Sequence, residues 1–202
     1  PLTKNYRPIV INLVQFVALL ATSIYIIVIK YNLSLWSIGL KLNNWQQIIT
    51  LGISGGVGIC SIVLLTNLGI QKIIMELWQI VVPSQPIIDR LLGSESQLIF
   101  LGYSLLIVII APLTEEIFFR GLLYQYFKKN LGLISGSLLT AGIFALFHFS
   151  LWTFLATFIG GLGLIILYEL SHSLYTAIVA HATWNLIIVV IIYLIWQSEG
   201  LV

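Results

Sequence analysis

Three ionisable side chains, Glu115, Glu116 and Arg120, sit inside the apolar run Leu98–Tyr124. At bilayer depth each costs about 2.5–3.5 kcal/mol on insertion scales unless paired or hydrated. A run that keeps three of them uses them or brings them to water. Glu116 and Arg120 are four residues apart, so on a helix they share a face and can pair. Glu115 is turned about 100° away and is free to face a different cavity. That suggests one carboxylate clamped by arginine and one left for chemistry. Further on, His148 ends the run Gly142-Ile-Phe-Ala-Leu-Phe-His-Phe-Ser, and His181 and Asn185 stand four apart in Ala180-His-Ala-Thr-Trp-Asn. A carboxylate and an imidazole can together take a proton from water. A second imidazole and a carboxamide are donors suited to a developing oxyanion. The same carboxylate and imidazole atoms could instead hold a divalent metal such as zinc.

Each piece alone also has a plainer use. Glu116 and Arg120 could be a packing ion pair, or the charges could lie in water between two short helices. His148 could be a hydrogen-bonded core residue, and His181 with Asn185 an interhelical clasp. The weight lies in the set, because intramembrane ionisable groups on separate helices usually face a shared cavity. His172, in the turn Ser171-His-Ser173 beside Glu169, is expected to be solvated. The His-Glu-x-x-His signature of a common zinc-protease helix is missing. Neither a serine nucleophile elbow nor a glycine-rich phosphate loop is expected.

The elements that must position these residues follow from composition. Of 202 residues 59% are hydrophobic and 8% charged, against about 25% charged in ordinary soluble domains; mean hydropathy is +1.07. That composition calls for an integral membrane protein, and runs this long in lipid default to helices, whose backbones satisfy themselves. Six stretches approach the roughly 20 residues a span requires: Ile9–Ile29, Ile48–Leu68, Leu98–Tyr124, Leu131–Phe149, Leu151–Tyr168 and Leu174–Trp196. The expectation is an all-α, polytopic transmembrane bundle of about six helices. The first run is too long for a signal-peptide core and reads as a retained span. Between the second and third spans, Ile70–Val82 could form a short interfacial helix with Trp78 at headgroup level, broken by Pro83 and Pro86. Pro112 should bend the third span. Orientation is undecided, since Lys4, Arg7, Lys72 and Arg90 on one side balance Lys30, Lys41, Lys128 and Lys129 on the other. A formal net charge of +2, scattered along the chain, gives no nucleic-acid partner. Cys60 is the single cysteine, so no intrachain disulfide can form.

Taken together, Glu115-Glu116-x-x-x-Arg120 with the following Phe119-Arg120-Gly121, Phe144-x-x-x-His148 and His181-x-x-x-Asn185 resemble the three motifs of the CPBP (Abi) intramembrane proteases. These include the type II CAAX prenyl endopeptidases and bacteriocin-processing or immunity proteins. The resemblance covers about Leu98–Trp196. It implies a catalytic core over residues 98–202 with a conical intramembrane cavity, preceded by a variable region over residues 1–97. It further implies that Glu115 and His148 activate the attacking water, that His181 and Asn185 stabilise the oxyanion, and that Arg120 holds Glu116. The implied function is an endopeptidase acting on a membrane-associated, prenylated or bacteriocin-like peptide delivered from the membrane. Metal dependence is open. A metal form would use Glu115, His148 and His181; the metal-free form is favoured because Asn185 is a poor zinc ligand and a better donor. The compact span set points to a prokaryotic plasma membrane. Two other classes compete: a non-catalytic immunity or scaffold protein, which need not keep both glutamates and both histidines, and a small proton-coupled transporter, for which no inverted repeat is visible.

Overall fold

The computed structural model describes residues 2–42 and 44–198, with side chains from residue 8 onward. Lys4 and Arg7 of the charge count therefore lie outside the described side chains. Among the described residues there is no strand. The helices are α1 (Leu2–Ile24, continued by wider turns over Tyr25–Lys30), α2 (Trp45–Trp78), α3 (Pro86–Leu92), α4 (Gln97–Leu146), α5 (Phe154–Ser171) and α6 (Leu174–Ser198). All but α3 are long and apolar enough to cross a membrane. The architecture is a helical membrane bundle, as the composition requires.

Six spans were expected and five such helices are found. The difference lies in α4, 50 residues long. At Gly132 its backbone leaves the helical region (φ 81°, ψ 173°), a conformation open to glycine because it lacks a Cβ. The chain reverses there. A Cβ at Gly136 would lie 2.7 Å from the Lys128 backbone nitrogen, and the Phe119 and Phe144 rings meet edge to face at 5.1 Å. The stretches 97–131 and 133–146 are thus antiparallel arms of one hairpin, and they correspond to the third and fourth expected spans.

The second difference is α2. No separate interfacial helix forms over Ile70–Val82; α2 continues unbroken to Trp78. Nothing in the sequence stops it at Leu68, since Gly69 is tolerated at a cost of about 1 kcal/mol. Asn44 caps the start by accepting from the Gln47 N–H at 3.2 Å. At the end Gln79 turns left-handed (φ 56°) and donates to the Met75 carbonyl. At 1.5 Å per residue α2 is about 51 Å long, well beyond the roughly 30 Å apolar core of a bilayer. The overhang carries the exposed pair Lys72–Glu76, 3.8 Å apart.

α6 is the central element, packing on α2, α4, α5 and α3. The approach of α2 to α6 is close because small residues face each other: a Cβ on Gly56 would come within 2.5 Å of the Ala180 carbonyl oxygen, the small-x-x-x-small solution to helix association in lipid. Gly52-Ile53-Ser54-Gly55-Gly56 in this region does have the Gly-x-Ser-x-Gly spacing. It is nevertheless no nucleophile elbow, because it lies mid-helix and Ser54 donates to the Thr50 carbonyl at 2.7 Å. α1 packs chiefly against the first arm of α4. It turns Val10, Ile11, Val14 and Val17 outward, as expected of a helix whose other side is lipid.

Candidate active site

The glutamate pair is placed by a distorted stretch of α4. Leu106–Ile110 and Ile117–Tyr124 run with i→i+5 hydrogen bonds on either side of Ala111–Glu116. Such wide turns are rare and re-phase the side chains that follow. Proline explains the first of them. The Ala111 N–H bonds to the Leu106 carbonyl; in the same register the Ile107 carbonyl would need an N–H from residue 112, and Pro112 has none. The Asn185 side chain of α6 fills that vacancy, donating from Nδ2 to the Ile107 oxygen at 2.8 Å.

Glu116 points inward and is completely buried. Its Oε1 accepts from Arg120 Nη1 at 2.8 Å and from His181 Nδ1 at 2.8 Å. Arg120, equally buried, also donates from Nη2 to the Gly161 carbonyl of α5 at 3.0 Å and lies over the Phe144 ring, 4.5 Å from its centroid. One side chain thereby joins both arms of α4 to α5, while Glu116 adds α6. His181 is held between the Trp184 ring at 5.6 Å and the Phe144 edge at 5.8 Å. Two buried charges taken from water are tolerable only when well paired, and here each has several partners. Glu116 Oε2 and Arg120 Nε have none among the described residues.

Glu115 turns the other way, as the 100° step requires, and is half-buried. It lines a small cavity of about 110 Å³ together with His148, Gln15, Phe16, Leu19, Phe119 and Phe147. His148 sits just past the end of the second arm, where the chain turns over Phe147–Phe149. Its Nδ1 lies 2.9 Å from the Phe144 carbonyl. A carbonyl only accepts, so Nδ1 carries the proton and a neutral ring keeps its lone pair on Nε2. A carboxylate and an imidazole lone pair in one cavity with room for several waters are a proton-accepting pair.

Of the six residues predicted from sequence, the structure thus gathers two groups. Glu115 and His148 share the cavity. Glu116, Arg120 and His181 form one buried network, and Asn185 is bonded to the α4 backbone beside it. His181 and Asn185 lie near the glutamate pair without lining the cavity. In this structure His181 Nδ1 lies 2.8 Å from Glu116 Oε1, and the Asn185 amide is given to the Ile107 carbonyl. Gln15, Phe16 and Leu19 of α1 were not singled out in the sequence; the one signal was a carboxamide inside the first apolar run. His172 is exposed and closes α5 in a left-handed turn (φ 52°), as expected of a loop residue.

The metal option depends on Glu115, His148 and His181 converging. Among the described residues no three His, Cys, Asp or Glu side chains are grouped so as to hold an ion. His181 is turned to Glu116 and does not line the cavity, so the residues present do not fit a metal.

A glutamate pair, an arginine and two histidines gathered on a helical membrane scaffold point to a class, and comparison with known proteins agrees. Residues 97–187 match the type II CAAX prenyl endopeptidase Rce1-like family. Over that segment the match supports the CPBP/CAAX protease family, and with it a CAAX-type intramembrane endopeptidase in general. Neither the curated proteins nor the solved structures gave a match.

Proposed function

We propose that the chain is an intramembrane endopeptidase that hydrolyses a peptide bond with water activated by Glu115 and His148. The observation that carries this reading is that these two side chains, one on the first arm of α4 and one just past the end of its second arm, line one cavity. Water held there loses a proton to the pair while its oxygen attacks the scissile carbonyl carbon, giving a tetrahedral oxyanion. The proton then passes to the departing nitrogen, the C–N bond breaks, and a carboxyl and an amine terminus leave. Glu116, Arg120 and His181 act by position. They fix the helix from which Glu115 projects and tie both arms of α4 to α5 and α6. Asn185 supports the same stretch through the Ile107 carbonyl. The mechanism is of the glutamate type, supported by the commitment of His181 to Glu116. Substrate reaches the cavity laterally from the lipid, past α1, in what we take to be a prokaryotic plasma membrane.

The test is cleavage in proteoliposomes of two quenched-fluorescent probes, a farnesylated CAAX peptide and its unprenylated form. Wild type should cut at least one. Glu115→Gln and His148→Ala should each lower kcat by about 10²–10⁴-fold with unchanged thermal unfolding. Full activity in either variant sinks the assignment.

A further inference from the structure

One carbonyl of the stretch that carries the glutamates is bonded to a side chain where a helix would use its own backbone. Of the two N–H groups that could reach the Ile107 carbonyl within α4, that of Ala111 goes to Leu106, and residue 112 is proline and has none. The Asn185 amide takes the place, its Nδ2 2.8 Å from the Ile107 oxygen. A carbonyl only accepts, so the nitrogen of Asn185 faces it, and the orientation of the amide is thereby fixed. A carboxamide carries two N–H groups. One is given to Ile107; the other has no acceptor among the described residues, and Asn185 is only half-buried. Helix carbonyls point toward the C-terminus, so the Ile107 oxygen lies a turn further on, near Ala111 and Pro112. From Pro112 to Glu115 is three residues, about 4.5 Å of helix rise. One turn earlier on α6, His181 reaches Glu116 at 2.8 Å. The uncommitted N–H is therefore held at the level of the glutamate pair.

We propose that Pro112 is a positioning residue: by withholding a backbone N–H it reserves the Ile107 carbonyl for Asn185, whose second N–H is then presented to the scissile carbonyl oxygen as that oxygen becomes negative. The proposal rests on the hydrolytic role given to Glu115 and His148, which produces the oxyanion. When the water oxygen bonds to the carbonyl carbon, the π pair moves onto the carbonyl oxygen and the water proton goes to the Glu115–His148 pair. Asn185 donates a hydrogen bond and transfers no proton. An amide already aimed at the developing charge need not reorganise during the reaction. With an N–H at residue 112, the Ile107 carbonyl is satisfied within its own helix and the Asn185 side chain is released to turn. Pro112 thus acts through one carbonyl, in addition to bending the helix that carries it.

The experiment measures kcat, KM and thermal unfolding of the full chain in proteoliposomes with the two quenched-fluorescent probes. The variants are Pro112→Ala; Pro112→Val, which supplies the same N–H at nearly the volume of proline; Asn185→Ala; the double variant Pro112→Ala/Asn185→Ala; and Glu115→Gln. Asn185→Ala should lower kcat by about 10²–10³-fold, the loss of one oxyanion donor. Both Pro112 variants should lower kcat by about 10–10²-fold, the effect of a misplaced group, with KM within about threefold of wild type. The double variant should be no slower than Asn185→Ala, because the path through the amide is already cut. Should Pro112→Ala not fold, the same cycle is run with Pro112→Val. A double variant slower than Asn185→Ala by the full factor of the Pro112 change overturns the proposal, since the proline would then act through the bend alone. Wild-type kcat in either Pro112 variant or in Asn185→Ala, with Glu115→Gln inactive, also overturns it and leaves the hydrolytic reading intact. An active Glu115→Gln, or a wild type that cuts neither probe, overturns the hydrolytic reading and this proposal with it.

Discussion

Replacing Arg120 by leucine should cost stability as well as activity, and the amount follows from its surroundings. The guanidinium is fully buried, 2.8 Å from Glu116 and 3.0 Å from the Gly161 carbonyl, over the Phe144 ring. Removing one partner of such a pair leaves the other charge buried with less compensation, which costs about 3–5 kcal/mol. The lost ring contact, about 0.5–2 kcal/mol, overlaps that figure because the same group makes both. Set against total stabilities of about 5–15 kcal/mol, roughly 4 kcal/mol is a large share. The double variant Glu116→Leu/Arg120→Leu removes both charges. Its remaining penalty is the stranded Nδ1–H of His181, about 1–3 kcal/mol, so it should be more stable than Arg120→Leu alone while staying inactive. Unfolding by SDS titration in mixed micelles, followed by the fluorescence of the six tryptophans, measures both. Two results would refute the reasoning: Arg120→Leu within about 1 kcal/mol of wild type, or a double variant less stable than the single one.

Asn185→Ala should cost about 1–3 kcal/mol by orphaning the Ile107 carbonyl. Pro112→Ala supplies a backbone N–H in the same place, so a double-mutant cycle of unfolding free energies should show the pair to be less than additive. Gly56→Leu should separate α2 from α6 and lower the unfolding midpoint sharply, whereas Gly58→Leu, with nothing within 4 Å of its Cβ position, should leave it near wild type. Exhaustive chelation checked by elemental analysis should leave cleavage intact, since no ligand set is gathered; activity lost on chelation and restored by zinc would contradict the glutamate mechanism.

Local spacing carried much of the site into the sequence. Glu116 and Arg120 pair as four-residue spacing requires, and Glu115 diverges by the helical step. What spacing could not carry was tertiary. His181 and Asn185 share a face on α6, which suggested a common task, yet a helix face is broad enough for one to meet Glu116 and the other Ile107. The Asn185 contact also depends on the wide turn before Pro112, and no periodicity announces which hydrogen-bond register a proline will leave open. The helices were legible from apolar length. Their ends were less so, because α2 runs on past the bilayer thickness where lipid no longer decides and only intrinsic propensity does. Gln15 was hidden by its company: two amides, Asn12 and Gln15, in an apolar run say that something polar is near, without saying that for Gln15 it lies 100 residues further along the chain.

The reversal at Gly132 also orders events in time. It brings Glu115 and His148 together within a single hairpin, and contacts of short sequence separation form earliest in folding. Glu115 and His148 can therefore meet before α5 and α6 have packed against the hairpin. At that stage the Gly161 carbonyl and His181 are not yet in place, so Arg120 and Glu116 have only each other, and nothing rigid backs the helix between them. Docking of the last helix is thus the step that makes a loose hairpin rigid, and a chain truncated before residue 181 should be inserted but inert.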